Sequence, residues 1–170
     1  MNPLPIVHVI YGPQGAGKTT YARTLTTQTQ GVRFSIDEWM VTLYGPDLPQ
    51  PLDIAWVMAR VARCHTQIWT VVQQLVTVHT PVILDLGFLT TDDRERARQL
   101  AIHCGAAPTF HLIDAPADLR RSRVLHRNEI QGETFALTVT PAMFDMMERV
   151  YQPPTASELA EALHGTSAHV

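Results

Sequence analysis

The sequence predicts an α/β domain, a three-layer sandwich with a central parallel sheet of about five strands, on three observations. Apolar strand-like runs alternate with helical stretches, the pattern that puts helices on both faces of a parallel sheet. The first run, Ile6-Val7-His8-Val9-Ile10-Tyr11, leads straight into a glycine-rich turn and a helix. The 170 residues suit one domain, large enough to bury roughly 70% of the unfolded chain's surface.

Each element has a local reason. Four strands have apolar runs that place them: Ile6–Tyr11, Val32–Ser35, Val82–Leu84 and Phe110–Ile113. The first helix runs from Lys18 to Thr27 with Ala22 and Leu25 facing inward. The second, Ser35 to Tyr44, stops at Gly45-Pro46. A proline-rich loop over 46–51 follows, and Asp53 caps a long helix to Val78 whose Ile54, Val57, Val61, Ile68, Val72, Leu75 and Val76 recur near helical spacing. Thr91 or Asp92 caps a polar helix to His103, closed by Gly105. Another helix spans Pro116 to Asn128, with proline in its first turn. Pro141 opens the next, which ends before Pro153-Pro154. The expected division is a domain over 1–152 and a C-terminal tail over 153–170, weakly ordered or packed on the domain, its last dozen small and polar residues loosely held.

Composition narrows the function classes. A net charge of −3 and a pI near 6.2 give no global attraction to nucleic acid or anionic membrane. No run of about 18 apolar residues is present, and the N-terminus lacks a basic segment followed by an apolar stretch. Cys64 and Cys104 have no metal-type spacing and read as buried or free thiols in a reducing compartment, so a cytoplasmic location is expected. The eight histidines are scattered.

Gly12-Pro13-Gln14-Gly15-Ala16-Gly17-Lys18-Thr19 is a complete G-x-x-x-x-G-K-T, placed between a buried strand and a helix as a P-loop requires. From average residue frequencies it is expected by chance about 0.006 times in a chain of this length. Glycines let the backbone turn so that successive N–H groups converge on an anion, and the helix N-terminus adds its own unpaired N–H groups. The expected nucleotide-binding residues are Gly12, Gln14, Gly15, Ala16, Gly17, Lys18, Thr19 and Thr20, with Lys18 at the β- and γ-phosphates and the Thr19 hydroxyl on Mg²⁺. The cofactors are therefore ATP and Mg²⁺, and the fold is that of a P-loop NTPase.

Three further features give the site its chemistry. Val82-Ile83-Leu84-Asp85 is a Walker B pattern that delivers Asp85 to the metal shell. The next residue is Leu86, where ATP-driven motors carry a glutamate that orients water, which favours transfer over hydrolysis. Asp37 lies at the carboxyl end of the second strand, the edge where open α/β sheets bind ligands. There it can accept the proton of an acceptor hydroxyl, or alternatively cap its helix in competition with Ser35. Asp37 and Glu38 differ by about 100° around a helix, so one of them faces the cleft. Trp39 and Tyr44 read first as core, with a site wall as the alternative. Arg120, Arg123 and Arg127 fall within about a 60° arc of one helix, a lid that clamps triphosphate oxygens and stabilises charge during transfer. Their mutual repulsion should keep them mobile until phosphates neutralise them. Arg94, Arg96 and Arg98 alternate with acids and read as a solvated face.

Together these residues resemble the small P-loop kinases. Over about residues 5–130 the chain is most similar to the group containing chloramphenicol 3-O-phosphotransferase, the zeta-toxin kinases and the 5′-hydroxyl polynucleotide kinases. The resemblance implies Asp37 as general base and Arg120, Arg123 and Arg127 as phosphate ligands. Ser35-Ile36-Asp37-Glu38-Trp39-Met40 and Val139-Thr140-Pro141-Ala142-Met143-Phe144 look like a subgroup described only as ATP-binding proteins of the AAA type. The expected activity is phosphorylation of a small-molecule hydroxyl. A polynucleotide 5′-kinase, disfavoured by the acidic pI, and a nucleotide-switched binding protein are the alternatives; a switch has no use for Asp37 as a base.

Overall fold

Side chains of a strand alternate between two faces, and the first strand uses both. The computed structural model describes residues 4–130 and 138–165. In β1 (Ile6–Tyr11), Val7, Val9 and Tyr11 join one buried cluster while Ile10 joins another on the opposite face. This strand is central. With β2 (Val32–Ser35), β3 (Val82–Asp85), β4 (Ala107–Ile113) and β5 (Leu163–Gly165) it forms a sheet in the order β2-β3-β1-β4-β5, every pairing parallel. Helix α1 (Lys18–Thr29) packs Ala22 and Leu25 against Ile10 and Ile83. On the other face, α3 (Ile54–Thr77) and α4 (Thr91–His103) bring Ile68, Val72, Ala97 and Ala101 against Val7, Val9 and Leu84. Helices on both faces of a five-stranded parallel sheet are the predicted three-layer sandwich.

The other α-helices among the described residues are α2 (Ile36–Tyr44), α5 (Ala117–Ile130), α6 (Pro141–Val150) and α7 (Ala156–Glu161). Asp53 caps α3 by accepting from Trp56 N, as the sequence predicts. Two caps differ from expectation or resolve it. Ser35, not Asp37, caps α2 through Glu38 N, which leaves the Asp37 carboxylate uncommitted to the helix end. Thr90, not Thr91 or Asp92, caps α4, because Asp93 returns the bond to Thr90 N and closes a capping box.

Strand β4 begins at Ala107 rather than Phe110. Ala107 and Pro108 have little β-propensity, and their position is imposed by pairing with Ile6 and Val7. The strand that no apolar run announces is β5, in the C-terminal segment, beside His111–Ile113. It docks closely because of Gly165: a Cβ there would sit 2.4 Å from a Tyr21 ring atom and 2.6 Å from Ile113 Cδ1. Residues 166–170 of the predicted tail lie outside the described residues.

The segment before β5 is held by an arginine that sequence assigns to a solvated face. Arg94 is 1% exposed. Its Nε and Nη2 donate to Glu158 of α7 at 2.5 and 3.1 Å, and Nη1 donates to the carbonyls of Leu89 and Gln152. The partner lies 64 residues away, so local charge alternation could not reveal it. Removing one member of a buried pair strands the other charge. Glu158→Ala should therefore lower stability by about 3–5 kcal/mol, measured by urea unfolding; a loss under about 1 kcal/mol, the range of surface pairs, would contradict this role.

A buried polar chain crosses the β1–β4 pairing. Tyr21 Oη and His111 Nδ1 are 2.9 Å apart, and His111 Nε2 and His8 Nδ1 are 2.9 Å apart. Burial pushes both histidines below their ordinary 6.5, His111 to about 4, with His8 adding repulsion at His111. The native state thus refuses protons that the unfolded chain accepts. Stability should be complete above pH 6.5 and fall as the pH drops toward 4, by on the order of 3 kcal/mol from His111. Equal urea midpoints at pH 7.5 and 4.5 in wild type, or an undiminished pH dependence in His111→Phe, would refute the assignment.

Candidate active site

The carboxyl ends of the strands fix the site's layout. In sheet order they deliver Asp37 after β2, Asp85 to Leu89 from β3, the P-loop after β1, and α5 beyond β4. Together they enclose a cleft of about 290 Å³ whose lining includes Lys18, Thr19, Asp37, Asp85, Arg123 and Arg127. Gln14, Gly15, Gly17 and Thr20 line it as well. Gly12 and Ala16 of the same loop are buried and do not line the cleft, Ala16 packing with Ile10, Ala22 and Leu25.

The loop needs its glycines for space as well as for backbone angle. Gly12 has φ 139° and Gly15 φ 78°. A Cβ on Gly12 would meet Ile113 O at 1.9 Å, and one on Gly15 would meet Arg120 O at 2.6 Å. The end of β4 and the first turns of α5 thus press directly on the loop. Gly17, φ 100°, is the N-cap of α1 with no side-chain acceptor, which leaves the first-turn N–H groups for a ligand. Lys18 Nζ donates to Pro13 O at 2.8 Å and is held across the loop. Burial lowers the Lys18 pKa, opposed by the Asp85 and Asp37 carboxylates.

Thr19 Oγ1 donates to Asp85 Oδ2 at 2.8 Å, so the Walker A hydroxyl and the Walker B carboxylate share one point in the cleft. Burial raises the Asp85 pKa, opposed by Lys18, the Thr19 hydrogen bond and Arg33, whose Nη1 lies 3.7 Å away. An oxygen pair of this kind suits Mg²⁺, which keeps several waters and takes few protein ligands. Among the described residues no cluster of three or more His, Cys, Asp or Glu could hold a metal, so phosphate oxygens would complete such a shell.

Asp37 and Glu38 separate as the helical geometry requires. Asp37 is exposed, lines the cleft and has no hydrogen bond or ion pair among the described residues. Glu38 turns away to Arg33 at 2.5 Å and Arg23 at 3.3 Å. Those two arginines and burial set its pKa, the net effect being a lowering. Trp39 and Tyr44 pack on the core, Trp39 edge-on to Phe34 and Tyr44 to Trp56.

The three arginines of α5 do not act alike. Arg123 and Arg127 line the cleft, and Arg127 Nε is buried without a partner among the described residues. Arg120 is buried elsewhere. Its guanidinium donates to both Glu148 oxygens at 2.5 and 2.7 Å, to Ala115 O and to Gln14 O. The helical arc is correct, but Glu148 of α6, absent from any local pattern, neutralises Arg120 and makes it a brace between P-loop and α6. The expected repulsion among three free charges therefore reduces to Arg123 and Arg127. Ile36, Gly87, Leu89 and Met147 also line the cleft and were not singled out from sequence; only Gly87, two residues beyond Asp85, carries a signal, as a loop glycine with φ 72°.

The orphaned Arg127 Nε donor, the glycine cradle and the Thr19–Asp85 pair fit a metal-bound polyphosphate. A family model described as an AAA domain matches residues 7–154. No curated protein sequence matches the chain. Among solved structures, the Pnkp1/Rnl/Hen1 RNA repair complex aligns with TM-score 0.67 and 16% identity over 88% of this chain and 45% of that one. The chain thus spans less than half the length of that protein. The Mycobacterium tuberculosis APS kinase CysC, in complex with AMPPNP and APS, gives TM-score 0.66 and 16% identity, covering 99% and 92%. Chaetomium thermophilum Kti12, in complex with ADP-AlF3, gives 0.67 and 15%, covering 93% and 86%. Among the described residues no helix is long and apolar enough to cross a membrane.

Proposed function

The chain belongs to the AAA-domain family, with the P-loop kinase fold, and on that premise we propose that it is an ATP- and Mg²⁺-dependent phosphotransferase acting on a hydroxyl of a small molecule. One observation carries the reading: Asp37, without a hydrogen bond or ion pair among the described residues, shares the cleft with the P-loop lysine and the Thr19–Asp85 pair. A switch gives no role to a second carboxylate opposite the loop, and hydrolytic motors carry theirs directly after the Walker B aspartate, where this chain has Leu86; hydroxyl phosphorylation uses one at the place of Asp37.

The residues divide the work. Backbone N–H groups from Gly15 to Thr20 receive the β-phosphate oxygens at the start of α1, and Lys18 neutralises the β- and γ-oxygens. Thr19 and Asp85 hold the metal, which when bound neutralises charge on the phosphates. Arg123 and Arg127 stabilise charge on the transferring group and the leaving oxygen. Asp37 aligns the acceptor hydroxyl and takes its proton. The acceptor oxygen forms its bond to the γ-phosphorus as the bond from that phosphorus to the β,γ-bridging oxygen breaks. ADP leaves, and Asp37 passes the proton to solvent.

The APS kinase and RNA repair neighbours act on chemically different partners, and at 16% identity neither lends its acceptor to this chain. The test is ADP formation in the presence of pooled hydroxyl compounds. Stimulation above the acceptor-free rate supports the reading, and an acceptor-independent rate across nucleosides, sugars and apolar alcohols overturns it.

A further inference from the structure

The cleft is electrically polarised along the sheet. Its cations, Lys18, Arg123 and Arg127, come from the P-loop and α5, which follow β1 and β4. Its carboxylates, Asp37 and Asp85, come from the ends of β2 and β3 at the other side. All thirteen Lys and Arg side chains of the sequence lie among the described residues. The arginines nearest the β2 side are already engaged: Arg33 with Glu38 and Asp85, Arg23 with Glu38. Among the described residues the rest of the β2–β3 wall is Ile36, Gly87 and Leu89, two apolar side chains and a bare backbone.

From this geometry we infer the charge class of the acceptor: an uncharged or amine-bearing alcohol with an apolar flank, and not one carrying phosphate or sulfate. The inference rests on the phosphotransfer reading, which seats the acceptor beside Asp37. An anionic group brought there meets the Asp37 carboxylate, which has no ion-pair partner among the described residues, whereas Asp85 is engaged with Thr19, Arg33 and the metal; like charges at such short range repel. The three cleft cations lie on the P-loop and α5 side, where the triphosphate takes them up. An alcohol without anions meets no such repulsion, and Ile36 and Leu89 offer it apolar contact. A protonated amine would be attracted by Asp37. The 5′-end of a polynucleotide, with a phosphate one nucleoside away from the reacting hydroxyl, falls on the disfavoured side.

The experiment uses the intact chain with saturating MgATP and matched acceptors offering the same hydroxyl: adenosine against adenosine 3′-monophosphate, an apolar diol against its monophosphate, and an amino alcohol against its N-succinylated form. The kcat/KM for ADP formation is measured at low salt and at about 0.5 M salt, where exposed charges are screened within a few ångströms. In each pair that reacts, the member without the anion should be preferred by at least about tenfold, equivalent to 1.4 kcal/mol, and salt should narrow the ratio. A preference for the anionic members, or a ratio indifferent to salt, overturns the charge assignment and leaves phosphotransfer standing. If no member of any pair raises ADP formation above the acceptor-free rate while ATP still protects the protein from thermal unfolding, the phosphotransfer reading fails, and this inference with it.

Discussion

Asp37→Asn is expected to lower the rate of transfer about 10²–10⁴-fold, the usual range for loss of a general base, with ATP affinity nearly unchanged. The amide keeps the shape of the carboxylate but cannot take a proton. Because phosphoryl transfer has a loose transition state, part of the loss will be misalignment of the acceptor oxygen rather than failed proton transfer. Asp37 supports no hydrogen bond or ion pair among the described residues, and Ser35 rather than Asp37 caps α2, so the fold has little to lose. Glu38→Gln is the control in the same turn. Its carboxylate holds Arg33 and Arg23, so the substitution should affect stability more than transfer. Near-wild-type transfer by Asp37→Asn, or a larger loss of transfer in Glu38→Gln, would overturn the assignment.

Lys18→Ala should weaken ATP binding roughly 10- to 150-fold, the equivalent of one charge-assisted contact of about 1.5–3 kcal/mol. Lys18 is held over the loop by Pro13 O, so little ordering is needed when phosphates arrive. Its removal also leaves Asp85 without the cation that favours its ionised form. ATP stabilises the protein by RT ln(1 + [L]/Kd), so at fixed ATP the thermal shift of the variant should shrink or vanish. Equal shifts in variant and wild type would mean that the loop does not hold the triphosphate.

The sequence made the sheet's centre and the site's two ends legible for different reasons. The strand–glycine–helix context of the P-loop is a local property, and so are the apolar runs of β1, β2 and β3. Asp37 and Asp85 follow from their place at strand ends, which the parallel topology converts into proximity. What stayed hidden depends on partners far along the chain. Arg120 has the spacing of a lid residue but is claimed by Glu148, and Arg94 has the alternation of a surface residue but is claimed by Glu158. Strand β5 has no apolar signature because it is short, at the edge, and admitted by the missing side chain of Gly165. The cap at Thr90 was displaced by one residue because Asp93, three positions on, selects it.

The central claim is that the γ-phosphate of ATP moves to an alcohol oxygen and not to water. It is tested most directly by following the phosphorus itself: ³¹P NMR of wild type and Asp37→Asn with MgATP and pooled uncharged alcohols. The account predicts a phosphate monoester resonance that grows with ADP in wild type and is suppressed in the variant. Inorganic phosphate as the sole product in wild type, formed at the same rate with and without the alcohols, would contradict it.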